Sequence, residues 1–370
     1  MASFKYLGRT IAALLKEENP RGRFCNINCA GEVIFPAEKF TMRDCPDTEG
    51  ELHHFFKGYE TAIPAFYVRS LKNGMCYTSG EEVYTSEGQV ILDHTTLRKT
   101  PPVRWRRFLK DVTHIRGKVA QLRQIGWENN YYHWLTECLE SLYLIRKSGF
   151  RPDFYVIANA LNFQKQWLSL LGIKEEQIIA ADKFIQADEL IVPDLLNNWY
   201  PVDFRKKLGY QKKWLPHWIL ELYKETVIPR TGVRKNKKNI FVSRQNAPYR
   251  RLLNENALRA LLDKYDFTTV HTENLSVEKQ LEIFVDAKTI VGVHGAGLTN
   301  AMFSDRGTPV LELNTQYYHD SSYRVLFSQT GHPYHYMIGE THDTSVPANE
   351  ENVHIDPGKF ESALRTITGR

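Results

Sequence analysis

Apolar positions after residue 238 follow two alternating rhythms. Ile240-Phe241-Val242-Ser243 is a short continuous apolar run, the pattern of a strand buried on both faces. Residues 254–265 place Leu258, Leu261 and Leu262 on one face at helical spacing. A strand is expected over 267–271, and Ser276 is the natural N-cap of the helix that follows. Then come a strand over 289–293, a short helix over 299–303 and a strand over 308–313. A helix near 320–330 and a strand near 335–338 end the series. Strands and helices in this alternation predict a parallel, doubly wound sheet. Such sheets bind ligands at the carboxyl ends of their strands.

The upstream pattern is looser. Helices are expected over 131–147, 161–171 and 214–226, with strands over 154–157, 177–180 and 189–192. From Phe24 to Arg98 the chain is turn-rich with short strand-like runs, such as Glu32-Val33-Ile34-Phe35 and Ala65-Phe66-Tyr67-Val68. Residues 230–239 are basic, polar and aperiodic, which marks a linker. The expected organisation is a first domain over 1–229, β-rich over 1–120 and α/β over 121–229. A second domain covers 230–345, and a terminal helix covers 346–370.

Composition adds limits. With 370 residues, 42% hydrophobic and 25% charged, the chain reads as two soluble domains. A net charge of +5 is too small to argue for nucleic acid. Cysteines 25, 29, 45, 76 and 138 form no framework, and Cys25 and Cys29 have no second pair with zinc-site spacing. A reducing cytoplasm is therefore expected. Neither a signal peptide nor a membrane-length apolar run is legible. Residues 5–16 read as a short basic amphipathic helix docked on the body, with peripheral membrane attachment as the alternative.

Four motifs carry candidate chemistry. Val293-His294-Gly295-Ala296-Gly297-Leu298-Thr299-Asn300 joins an apolar strand to a helix. Its glycines permit close approach of an anion to main-chain N–H groups at the helix start, or simply close packing of strand on helix. Arg244 ends the first strand of the same sheet and is followed by the Arg250-Arg251 pair, suited to a diphosphate. Glu312 sits inside an apolar strand, placed for ribose hydroxyls or for a buried salt bridge with Arg244. In the first half His133 and Glu137 stand i, i+4 on one helix face with Glu140. That is a possible base pair or a solvated surface. No Asp-x-Asp triplet occurs, so protein donors are expected to replace a metal ion at a diphosphate.

Taken together, Asn130-Tyr131-Tyr132-His133-Trp134-Leu135-Thr136-Glu137, Ser243-Arg244 through Arg251-Leu252-Leu253-Asn254-Glu255, Leu275 to Gln280, and Val291 to Asn300 resemble glycosyltransferase family 61, in that family's order. The resemblance covers about residues 125–340. It implies an α/β GT-B fold of two Rossmann-like domains, inversion at the anomeric carbon, and a nucleotide sugar, usually UDP-linked, as donor substrate with no separate cofactor. The first domain would serve a saccharide acceptor and the second the donor. Without an anchor the chain resembles bacterial members linked to capsular and other surface polysaccharides, at work in the cytoplasm or on the inner face of its membrane. By position Arg244, Arg250 and Arg251 would bind diphosphate. His294, Gly295, Ala296, Gly297 and Asn300 would form the nucleotide-sugar loop, with Glu312 beside it. His133 and Glu137 would face the acceptor, Glu137 being slightly favoured as base. The rival readings are an epimerase or pyruvyltransferase of similar fold, and a non-catalytic saccharide-binding protein.

Overall fold

The computed structural model of the chain describes residues 24–25, 32–80, 82–88, 90–91, 112–122, 128–194, 196, 213–230, 237–318, 320–341 and 345–370. The expected basic helix at 5–16, Cys29 and residues 231–236 of the linker lie outside them.

In the first half the strands are β1 (Phe24–Cys25), β2 (Glu32–Phe35), β3 (Glu38–Met42), β4 (Tyr59–Ile63), β5 (Phe66–Lys72) and β6 (Met75–Tyr77). They continue as β7 (Val83–Tyr84), β8 (Val90–Ile91), β9 (Val112–Gln121), β10 (Phe154–Val156) and β11 (Phe184–Pro193). β3 and β4 pair only with each other; the rest share one mixed sheet. β9 runs parallel to β10 and to β11. The crossovers between these strands carry helix α1 (131–147) and helix α2 (Asn162–Leu170). The other edge of β11 pairs antiparallel with β5 and β6. Ten residues give β11 enough edge for both partners. The β-rich and α/β parts expected to divide near residue 120 are therefore one sheet.

Two elements differ from expectation here. Residues 177–180 form no strand: a 3-10 turn at Glu175–Gln177 is followed by a single bridge from Ile178 to Tyr155. The helix expected over 214–226 is only α3 (Glu221–Thr226). Turns precede it, with Ile219 N–H bonded to the Pro216 carbonyl, and Pro216 itself has no N–H to continue a helix.

The second half follows the pattern closely. β12 (Lys238–Val242), β13 (Phe267–Val270), β14 (Ala287–Val293), β15 (Val310–Asn314) and β16 (Tyr334–Ile338) are all parallel, in the order β13-β12-β14-β15-β16. Alternate strand residues face opposite sides. Phe241, Val291 and Leu311 pack against α4 (Glu255–Lys264) and the terminal α7 (Pro357–Thr368). Ile240, Ile290 and Val310 face the layer of α5 (Val277–Val285), a 3-10 helix (Ala296–Phe303) and α6 (Ser322–Thr330). Ser276 caps α5, accepting from the Lys279 N–H. The terminal helix is shorter than the expected 346–370, because Asp356 caps its start and residues 349–355 run as a strap beside the loop after β12.

One hydrophobic core crosses between the two sheets. Trp134, Leu139, Trp167 and Trp218 from the first half belong to the same buried cluster as Ile290, Phe303 and Phe327 from the second. Trp167 and Tyr223 both touch the Phe303 ring, at 5.5 and 5.3 Å between centroids. The boundary near residue 230 separates two sheets but not two cores. Among the described residues no helix is long and apolar enough to cross a membrane.

Candidate functional site

The order β13-β12-β14 creates a crevice. The chain leaves β12 toward α4 on one face and leaves β14 toward the 3-10 helix on the other. Adjacent strands whose connections part in this way form a topological switch point, the usual ligand site of such sheets. A cavity of about 730 Å³ opens there, large enough for a drug-sized or nucleotide-sized ligand. Ser243 and Arg244 line it from the end of β12, Gly295, Ala296 and Gly297 from the turn after β14, and Tyr131 from the first half.

The glycines of the turn are there for close contacts. Gly295 has φ 174, an extended value open to any residue, but a Cβ on it would lie 2.0 Å from Arg244 Nη1. A Cβ on Gly297 would lie 2.5 Å from Thr272 Oγ1. What packs on these glycines is side chains, Arg244 on Gly295 and Thr272 on Gly297, and not the helix on the strand. Tyr323 OH donates to the Gly295 carbonyl at 2.6 Å and fixes the turn. The 3-10 helix that follows begins at Ala296, with the Leu298 N–H bonded to the Gly295 carbonyl at 2.9 Å.

Arg244 is held by its own loop. Its Nε donates to the Arg250 carbonyl at 3.2 Å and its Nη2 to the Tyr249 carbonyl at 2.9 Å. Burial, with the nearby Arg250 charge, pushes its pKa down to about 10, which leaves it charged at neutral pH. Gly295→Ala places a methyl group where Nη1 now lies. We expect this variant to fold, since its backbone angle suits alanine, and to bind nucleoside diphosphates at least tenfold more weakly because the arginine is displaced. Calorimetric titration with UDP checks this; unchanged affinity would mean that the contact is irrelevant to binding.

The other two arginines are placed differently from expectation. Arg250, at φ 53, donates from Nε to the His294 carbonyl at 3.0 Å and from Nη1 to the Asn349 carbonyl at 2.5 Å. Its guanidinium lies over the rings of Tyr249 and Tyr318, at 4.9 and 5.4 Å. It braces the turn and the strap, and does not line the cavity. Arg251 is exposed and also lies off the cavity, with its backbone N–H bonded to Asn352. Only the first member of the expected diphosphate set reaches the crevice, because the left-handed backbone at Arg250 turns the chain toward the strap.

Glu312 is fully buried, and its two carboxylate oxygens bond His294 Nδ1 and Tyr334 OH. The expected partner Arg244 is not among them, and no ribose could reach it as it stands. Its role is to orient His294, whose ring packs edge-on against Tyr318 and Tyr323. Asn300 is also fully buried. It accepts from Tyr131 OH at 2.8 Å and donates to Gln280 Oε1 at 2.7 Å, so it ties the two halves together beneath the turn.

His133 and Glu137 do meet, with Nδ1 2.7 Å from Oε1. They are buried, with only 8% and 5% of their side-chain surface exposed, so the solvated-face reading fails. Asn130 caps α1 by accepting from the Tyr132 N–H. The helix then widens into a π-turn, Trp134–Cys138, in which Leu139 N–H bonds the Trp134 carbonyl. Such turns are rare and often mark functional segments. Glu140 is fully buried next in line, and burial, helped by Glu221, pushes its carboxyl well above the usual range. Neither His133 nor Glu137 lines the large cavity. Glu137 instead borders a 10 Å³ space, room for about one water, beside Lys213 and Ser322.

Two ionisable side chains lie near this pair without any signal in the sequence. Lys213 Nζ lies 2.6 Å from Asp320 Oδ1. Burial pushes the Asp320 carboxyl up, but Lys213 and His294 outweigh it and hold the group below the usual carboxylate range. Tyr132 and Tyr323 stand edge-on between the His133 and His294 rings, with successive centroids 5.2, 5.5 and 5.3 Å apart. No sequence spacing signals that cluster, since its members come from both halves. Among the described residues no three His, Cys, Asp or Glu side chains converge as a metal-ligand set.

Residues 131–311, a little under half of the chain, match the model of Glycosyltransferase 61. This segment is similar to that family over just under half of the chain. It begins at Tyr131, on the cavity wall, and reaches past the glycine turn to Leu311 in β15. Among curated proteins, the EGF domain-specific O-linked N-acetylglucosamine transferase of Drosophila melanogaster is 36% identical over 89 residues. That alignment covers 23% of this chain and 17% of the relative, so the chain spans only about a sixth of that protein's length. Among solved structures, the dodecameric iron-containing heptosyltransferase TibC, in complex with ADP-D-beta-D-heptose, superposes with a TM-score of 0.30 and 11% identity. It covers 75% of this chain and 73% of that one, a likeness too loose to carry an argument.

Proposed function

We propose that the chain is an inverting glycosyltransferase of the two-domain GT-B type. It moves a sugar from a nucleotide sugar, a UDP-sugar in our reading, to a saccharide acceptor without a metal ion on the diphosphate. The observation that carries this is Arg244 laid across Gly295 in the cavity at the switch point of the parallel sheet. A permanent cation suits a leaving diphosphate.

In the reaction, an acceptor hydroxyl oxygen forms a bond to the anomeric carbon while the bond from that carbon to the phosphate oxygen breaks. The hydroxyl proton passes to His133 and the negative charge stays on the nucleoside diphosphate. His133 is preferred as base over Glu137 because Glu137 Oε1 is occupied in holding His133 Nδ1. The carboxylate then orients the imidazole. We place this reaction in the cytoplasm, in surface-polysaccharide synthesis.

Thermal denaturation with UDP and a panel of nucleotide sugars tests the donor. Binding to the native state raises the melting temperature by mass action. We expect a rise with UDP, a further one with the true donor, and transfer that persists in a chelator. A melting temperature that ignores every nucleotide would overturn the donor site. Loss of transfer in chelator, restored by manganese or magnesium, would overturn metal independence.

A further inference from the structure

The leaving-group side and the base side of the proposed reaction belong to different halves of the chain, and buried Tyr323 on α6 contacts each. Its hydroxyl has one proton to give. That proton goes to the Gly295 carbonyl at 2.6 Å, so the Thr299 hydroxyl, 3.1 Å away, is the donor in their shared bond. Both partners follow β14, and Gly295 is the residue on which Arg244 lies. Burial pushes the Tyr323 phenol pKa up, so the group stays a neutral donor. The ring serves the other side. It meets Tyr132 edge-on at 5.5 Å, and Tyr132 meets His133 edge-on at 5.2 Å. Phe327, one turn along α6, backs the ring, stacked at 5.6 Å. A phenylalanine would fill the same buried space; the hydroxyl is needed only for the turn. Tyr323 does not line the cavity, so it acts on a substrate only through these neighbours.

We propose that Tyr323 is a positioning residue that holds the leaving-group arginine and the base helix in one frame. This rests on the reaction proposed above. Displacement at the anomeric carbon needs the attacking hydroxyl and the departing oxygen at a set separation, and small misplacements are costly. His133 and Arg244 come from different halves, so packing between the halves must set their spacing. The Tyr323 hydroxyl fixes Gly295, and Gly295 seats Arg244. The Tyr323 ring abuts Tyr132, which stands next to His133 in α1. Close-packed interiors transmit displacement, so one side chain governs both ends. The hydroxyl acts on the leaving-group end and the ring on the base end, which makes the two roles separable by substitution.

The test is Tyr323→Phe in the full chain, alone and combined with Arg244→Ala, with UDP titrated by calorimetry and transfer rates measured alongside. We expect Tyr323→Phe to raise the UDP Kd and the donor KM roughly three- to tenfold, the scale of one lost hydrogen bond. Its kcat and pH profile should not change, because the ring still supports Tyr132. In the Arg244→Ala background the same substitution should leave the UDP Kd where Arg244→Ala alone puts it, since the group it positions is gone. A general loss of packing would weaken both backgrounds alike, and that result overturns the proposal. So does an unchanged UDP Kd in folded Tyr323→Phe. Tyr323→Leu removes the ring as well, and is expected to cut kcat at least tenfold. A kcat equal to that of Tyr323→Phe would overturn the base-side role. Melting temperatures accompany each variant, and the Tyr323→Phe results decide alone if Tyr323→Leu does not fold. If the wild-type protein binds no UDP, the donor reading itself fails and takes this proposal with it.

Discussion

On the proposed reading, Arg244→Ala is expected to lower kcat/KM for sugar transfer by about 100-fold or more, roughly 3 kcal/mol of transition-state stabilisation. The figure follows from its position. The guanidinium is anchored by two carbonyls of its own loop, so it needs no reorganisation when charge develops on the departing diphosphate. Its burial strengthens that interaction relative to an exposed arginine. Arg244→Lys recovers little, because a lysine cannot hold two loop carbonyls and an oxyanion with one planar fork. Arg251→Ala, from an exposed position off the cavity, is the control and keeps near-normal turnover. Steady-state kinetics on the three variants, with circular dichroism for folding, decides the matter. Equal activity of folded Arg244→Ala and wild type would remove the diphosphate from this end of the crevice.

His133→Asn has the other large effect. Loss of a general base costs about 100-fold or more in turnover, with nucleotide affinity preserved because the residue stands off the cavity. Glu137→Gln is expected to cost less than His133→Asn. The amide oxygen can still accept from Nδ1 and keep the ring oriented. Asparagine is chosen because alanine at 133 would strand the Glu137 carboxylate in the interior, and breaking a buried pair destabilises by about 3–5 kcal/mol. Thermal unfolding must therefore accompany the rates. Full turnover in both folded variants would reduce the pair to a structural contact; a dead Glu137→Gln beside an active His133→Asn would make the carboxylate the base.

The parallel sheet was legible because its strands are short apolar runs cut off by caps and turns, and each needs only local information. Arg244 and the glycine turn were legible for the same reason, since both sit at strand ends where the switch-point rule applies. Less could be read where partners are distant in sequence. Glu312 read equally as a ribose ligand or a partner of Arg244, because nothing local reveals that His294 and Tyr334 take its oxygens. The arginine pair resembled a diphosphate clamp because a left-handed backbone angle at Arg250 leaves no trace in the sequence. The strand expected at 177–180 failed because an apolar pair, Ile178 and Ile179, suits one bridge beside β10 as well as it suits a strand. The cavity wall at Leu161 and Phe163 lay in a helix start with no unusual composition.

The core shared between the two sheets bears on how the chain is made. During synthesis the first half emerges with Trp134, Trp167 and Tyr223 ready to pack but without Phe303 and Phe327, which come later. Domains usually fold in order of emergence, yet here the earlier half must wait, with apolar surface bare, for the later one. Asn300 adds a polar side to that dependence, since it joins Tyr131 only once both are present. A nascent chain paused near residue 230 is thus expected to keep that apolar surface exposed, because Phe303 and Phe327 are not yet made.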